Sequence, residues 1–159
     1  MKLIRTDGDR MTFRLSATER VVLLDLVKAY PCVPPAHVRH RAVASEDPES
    51  AEIQTLLAEA LAEQRAATRR QILQLLENPE VLQRQPQGWV LHLRPGDLET
   101  LLQVLNDVRV GSWIALGCPD PLPDKLPSDP EKAHHAATME LAGWFEISLL
   151  QEVQQGPAP

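Results

Sequence analysis

Cysteine is scarce in this chain: its 159 residues include only Cys32 and Cys118. The two lie far apart and form no CxxC or CxxxC pair, so neither a zinc knuckle nor a local redox pair is encoded. Reduced thiols in a cytoplasmic protein are the expectation. Long apolar runs are also missing. No segment approaches the roughly 18 apolar residues that a membrane span needs, and the opening MKLIRTDGD lacks the apolar centre of a signal peptide. Basic charge is in deficit, with 16 Lys and Arg against 22 Asp and Glu for a net −6. That argues against general affinity for nucleic acid, because binding phosphate calls for a cationic surplus. No phosphate-cradling glycine loop, G-x-S-x-G or H-E-x-x-H motif occurs, and neither a cofactor nor a metal site is expected.

The charge that is present is uneven. Residues 1–41 carry eight basic and four acidic side chains, and the remainder carry eight and eighteen. Lys2, Arg5, Arg10 and Arg14 suit the edge of a hairpin, where charge discourages strand addition. A contact with an anionic partner is the other reading. The length suits one domain, expected over residues 1–153, with a flexible tail at 154–159.

Periodicity predicts an α+β fold, mostly helical: about four main helices packed with a small antiparallel sheet. Lys2–Thr6 and Arg10–Leu15 read as a hairpin around Asp7-Gly8-Asp9. Ser16 and Glu19 form a capping box for a helix whose stripe is Val22, Leu23, Leu26 and Tyr30. A long helix opens at Asp47-Pro48-Glu49 and runs to about Glu77. Its stripe is Ile53, Leu56, Leu57, Ala60 and Leu61, then Ile72, Leu75 and Leu76, and its polar middle is exposed, kinked or covered by a second subunit. GWVLHL at 88–93 alternates as a third strand. Pro95 and Asp97 open the next helix. Five prolines punctuate 117–130, and Ser128 with Glu131 gives a second capping box for a last helix reaching about Val153.

Two helices carry a charge within an apolar face. At 100° per residue Arg109 falls with Leu98, Leu102, Leu105, Ser112 and Leu116. Glu146 falls near the centre of the face made by Met139, Ala142, Leu149, Leu150 and Val153, on a helix apolar nearly all round. An unpaired buried charge is costly, and guanidinium suits bidentate pairing with carboxylate. Arg109 is therefore expected to meet Glu146, with Glu19 or Asn106 nearby. As a buried pair it fixes helix register, and loss of one partner costs about 3–5 kcal/mol. As a pocket, Arg109 holds an anion while Glu19 or Glu146 acts as acid or base. Gly111 and Gly143, inside the same helices, point to close approach or room for Trp113 or Trp144.

Other polar groups are weaker signals. Glu131 and His135, with His134 adjacent, supply two ligands on one helix face, and two ligands do not make a metal site. His37, Arg39, His40 and Arg41, like Arg65 and Arg69, read as solvated surface.

Three blocks resemble a known family. They are Arg5-x-x-Gly8 followed by Leu15-x-x-x-Glu19 and Leu23-Leu24; Leu105-Asn106-Asp107-Val108-Arg109, similar to an L-N-D-L-R motif; and Trp144 with Ser148-Leu149, a block that includes Glu146. The pattern is similar to bacterial domain-of-unknown-function family twenty-seventeen. The resemblance implies a cytosolic bacterial regulatory or adaptor-like protein. The leading expectation is a non-enzymatic domain with a protein partner, with a homodimer among the forms it allows. The alternatives are a small-molecule-binding or enzyme domain built on Arg109, Glu146, Glu19 and Asn106, and a DNA-binding transcriptional regulator.

Overall fold

The computed structural model describes residues 1–32, 48–121 and 126–157, with the backbone alone for 48–51. Within these residues the chain folds into four helices and one four-stranded antiparallel sheet, the α+β class dominated by helix that periodicity predicts. Strands β1 (Lys2–Asp7) and β2 (Arg10–Leu15) form the hairpin. Gly8 makes its turn at φ +60°, a left-handed geometry that glycine adopts without a Cβ clash. The pairing starts at Asp7↔Arg10 and slips by a bulge between Leu3 and Arg5.

Helix α1 (Ala17–Ala29) follows at once, because Ser16 and Glu19 exchange the two hydrogen bonds of a capping box, Glu19 N to Ser16 Oγ at 3.1 Å and Ser16 N to Glu19 Oε2 at 2.7 Å. It buries Leu23, Leu26 and Val27. Helix α2 (Pro48–Glu77) is 30 residues, about 45 Å long at 1.5 Å per residue. The His37–Arg41 loop lies outside the described residues.

The sheet has one strand more than the sequence reading predicts. Strand β3 (Leu82–Gln85) joins β4 (Gly88–Leu93) through a two-residue loop, giving the order β1-β2-β4-β3. Its sequence LQRQ has a single apolar residue, so alternation alone is silent. Leu82 packs inward opposite Leu91, and β4 supplies the remaining stabilisation through the ladder. Gly88 sits at φ +126°, and a Cβ there would lie 2.7 Å from the Leu15 carbonyl oxygen.

Leu3, Met11, Phe13, Leu15, Leu82, Leu91 and Leu93 form the covered face of the sheet. Against it pack α1, α3 (Pro95–Ala115) and α4 (Pro130–Gln155), the last two mostly against each other. Pro95 opens α3, with Asp97 Oδ2 accepting from Arg94 N at 3.2 Å. The start of α4 differs from expectation. Asp129, not Ser128, is the cap, its Oδ1 accepting from Lys132 N at 2.9 Å. Pro130 takes the first helical position, which places the capping side chain directly before it. The helix continues to Gln155, past the residue at which the tail was expected to begin. No helix among the described residues is long and apolar enough to cross a membrane.

Candidate functional site

The LNDVR segment organises the polar chemistry of the fold. Leu105 and Val108 are fully buried and anchor α3 in the core. The buried ridge of this helix is Leu98, Leu101, Val104, Leu105, Val108, Gly111 and Ser112. At 100° per residue it is turned by about a sixth of a turn from the face the sequence suggests. Arg109 therefore lies on the flank of the ridge, with 46% of its side chain exposed. Several rotations of an apolar-rich helix score alike on a wheel, and the packing of α4 selects this one.

On that flank Arg109 Nε donates to Glu146 Oε2 at 2.9 Å and Nη2 donates to Asn106 Oδ1 at 2.8 Å. The helices approach closely because α4 has glycine opposite the arginine stem: a Cβ on Gly143 would stand 3.4 Å from Arg109 Cδ. Glu146 is the less exposed partner at 16%. Burial pushes its carboxyl above the ordinary range, and Arg109 offsets this only in part. With one partner half in solvent, the pair belongs with surface ion pairs, worth about 0–1 kcal/mol, rather than with the fully buried pairs of the initial expectation.

Glu19 is not part of this cluster. Its Oε1 pairs with the Met1 ammonium while Oε2 accepts from Ser16 N, so the residue ties the start of β1 to the start of α1. Burial pushes its pKa up, but the N-terminal ammonium and Ser16 outweigh this and leave it lowered. Glu152, which sequence reasoning did not single out, makes the corresponding link from α4: its Oε2 accepts from Leu3 N at 2.7 Å.

The central residue of the segment, Asp107, faces the opposite flank, towards α2. Burial raises its pKa, and the nearby Arg65 guanidinium partly offsets the rise. Asp107 and burial together raise the pKa of the Tyr30 phenol, burial contributing more. Burial also pushes the Cys32 thiol up, and its Sγ donates to the Ala29 carbonyl at 3.1 Å. A thiol in that state is a poor nucleophile. LNDVR thus places an apolar anchor between two polar junctions, one to α4 and one to α2.

A groove of about 400 Å³ opens beside Arg109, lined also by Val110, Trp113, Pro119, Asp120 and Met139. Glu146 and Asp120 counter the charge of Arg109, so among the described residues the groove offers an anion no net positive charge. The histidine clip is not completed: among the described residues no group of three or more His, Cys, Asp and Glu is placed to hold a metal. Arg69, read as solvated surface, donates from Nη2 to the Lys28 carbonyl at 3.2 Å and so ties α2 to α1.

The larger departures from expectation are exposed apolar side chains. In α2 only the C-terminal half joins the core, through Ile72 at 0% and Leu76 at 4% exposure. Ile53, Leu56 and Leu57 were expected on the same buried stripe, yet they are 57–59% exposed. Their stripe is rotated by about a third of a turn from that of Ile72 and Leu76 at 100° per residue. Helix α4, expected to be buried on most sides, exposes Leu141, Trp144, Ile147 and Leu150. Its buried side is Thr138, Met139, Ala142, Phe145 and Leu149, the side that faces α3, α1 and β1.

A family model described as Domain of unknown function (DUF2017) matches residues 34–153. That span holds the LNDVR block and the Trp144–Leu149 block, and leaves the N-terminal hairpin outside. Neither the curated proteins nor the solved structures contain a match.

Proposed function

The chain belongs to the domain-of-unknown-function family DUF2017, and from that premise we propose that it is a non-enzymatic protein-interaction domain of a regulatory or adaptor-like kind, working in the bacterial cytoplasm as a homodimer joined through α2. The observation that carries the reading is the exposed stripe Ile53, Leu56 and Leu57, turned away from the core that the same helix enters at Ile72. Projected along α2, this stripe continues as Ala60, Gln64, Ala67, Gln71 and Gln74, with no charge in it. Leucine followed by small residues is self-complementary: in an antiparallel pair the leucines of each helix meet the alanines of the other.

Charge favours the same occupant. Glu52, Glu59 and Glu63 flank the first half of the stripe, whereas Arg65, Arg69 and Arg70 cluster beyond it. Antiparallel alignment lays the acidic section of one copy along the basic section of the other, and it opposes the two helix dipoles. A two-fold contact of this kind closes on itself and needs no further surface. The two free cysteines fit a reducing compartment.

Light scattering on the intact chain at tens of micromolar tests the reading. A dimer that Leu56→Glu with Leu57→Glu converts to a monomer of unchanged helicity is expected. A wild-type chain that is monomeric throughout overturns it.

A further inference from the structure

The sheet has a second face. Its covered side packs on the helices, while Arg5, Arg10, Arg14, Thr12 and His92 lie on the other side, around a concavity of about 560 Å³. That is the size of a pocket for a small organic ligand. We propose that this open face binds a phosphorylated small molecule, held by the arginines of β1 and β2. The proposal goes beyond the dimer reading and shares no residue with it.

The argument begins with charge. A chain of net −6 gathers three arginines around one concavity whose only acidic lining residue, among the described residues, is Asp7. Their placement follows from strand register. Arg10, Thr12 and Arg14 alternate on β2, and Arg5 stands opposite Thr12, so the period of two brings them to one side. The arginines are not equally engaged. Arg5 Nη2 pairs with Asp7 at 2.7 Å, and Arg10 Nη2 donates to the Glu80 carbonyl at 3.0 Å, which leaves its other donors. Among the described residues the Arg14 guanidinium has no hydrogen bond or ion pair. A net excess of two positive charges matches a phosphate monoester, which carries about −1.5 to −2 at neutral pH.

The neutral groups fit as well. His92 Nδ1 and Thr12 Oγ1 lie 3.0 Å apart, so contact with a ligand falls to Nε2. Burial, and then Arg10, lower the pKa of this ring, so at neutral pH it serves as a hydrogen-bonding group. Gln83 and Gln85 supply amides from β3 on the far side of β4. Aromatic platforms are few: Phe13 is in the core, and Trp89, which lines the concavity, has its ring covered by Arg20 at 4.0 Å. Single-stranded nucleic acid binding relies on such platforms, so the site favours a discrete phosphorylated molecule.

The test is titration of the isotope-labelled full chain with pyrophosphate, followed by amide NMR. Saturable shifts centred on Thr12, Val90 and His92 are expected. Arg10→Gln and Arg14→Gln should each weaken the affinity at least fivefold with the spectrum otherwise folded, and Arg94→Gln, at the start of α3, should leave it unchanged. Shifts scattered over the surface, or equal affinity in Arg14→Gln and wild type, overturn the proposal. Tighter, steeply salt-dependent binding of a short DNA duplex to the same face also overturns it, in favour of a nucleic-acid surface.

Discussion

Arg109 and Glu146 hold α3 and α4 together through one charge-assisted hydrogen bond between a half-exposed guanidinium and a mostly covered carboxylate. The coupling between them is correspondingly modest. A double-mutant cycle with Arg109→Met and Glu146→Leu, followed by urea denaturation, is expected to give about 0.5–1 kcal/mol. A coupling of 3 kcal/mol or more would mean the pair is desolvated in solution. Asp107 is a second group whose titration is coupled to folding. Its folded pKa is raised, chiefly by burial, so the folded state holds its proton more tightly than the unfolded chain does. Stability attached to this residue therefore falls as pH rises through the window between the unfolded value, near 3.8, and the higher folded one. Asp107→Asn should be at least as stable as wild type at pH 7, and its advantage should shrink as the pH is lowered through that window. An advantage that grows in acid would contradict the assignment. The Arg109–Glu146 pair was legible in the sequence because each of two helices carries a charge within its apolar face, and the two charges are opposite in sign. The role of Glu19 was legible in part: its capping bond to Ser16 was read from the sequence, but its pairing with the N-terminal ammonium was not, because that group has no periodicity to read.

Elements differ in how far their own residues determine them. The hairpin, α1 and the extent of α3 follow from local signals: a glycine turn, a capping box, and a proline with an aspartate at the helix start. Strand β3 does not, because its pairing partner rather than its composition makes it a strand. The turn that admits it depends on Gly88, whose φ is positive and where a Cβ would stand 2.7 Å from the Leu15 carbonyl oxygen, leaving no room for a side chain. Gly88→Ala combines backbone strain of about 1–3 kcal/mol with a backbone clash, and a loss of about 3 kcal/mol is expected by urea denaturation. A loss below 1 kcal/mol would show that the turn relaxes freely. Helix α2 shows the complementary limit. Its apolar residues announce a helix, but not that two stripes on it face different surroundings. Ile72→Ala removes a fully buried side chain and should cost about 2–4 kcal/mol. Leu56→Ala, measured at high dilution, should change stability by less than about 0.5 kcal/mol. Equal costs at the two positions would place both in one core.

At the scale of the molecule, fold class was written in the periodicity, but where the fold stops was not. Exposed apolar residues on α2 and α4 are spelled like core, and only the number of elements available to cover them distinguishes the two. The dimer reading turns this surplus into a thermodynamic consequence. If the N-terminal half of α2 is covered by a second copy, the folded state gains stability by mass action. A tenfold rise in concentration contributes about 1.4 kcal/mol per dimer, or half of that per chain. For a chain of this size that is a shift of about 2 °C in the unfolding midpoint. Calorimetry of wild type over two decades of concentration should therefore show a rise of about 4 °C, and Leu56→Glu with Leu57→Glu should show none. Both proteins contain the same core around Phe13, Leu105 and Phe145, so a common concentration dependence would point to an interface elsewhere. A flat wild-type curve, with reversible unfolding, would leave α2 as a solvent-facing helix and remove the basis for self-association.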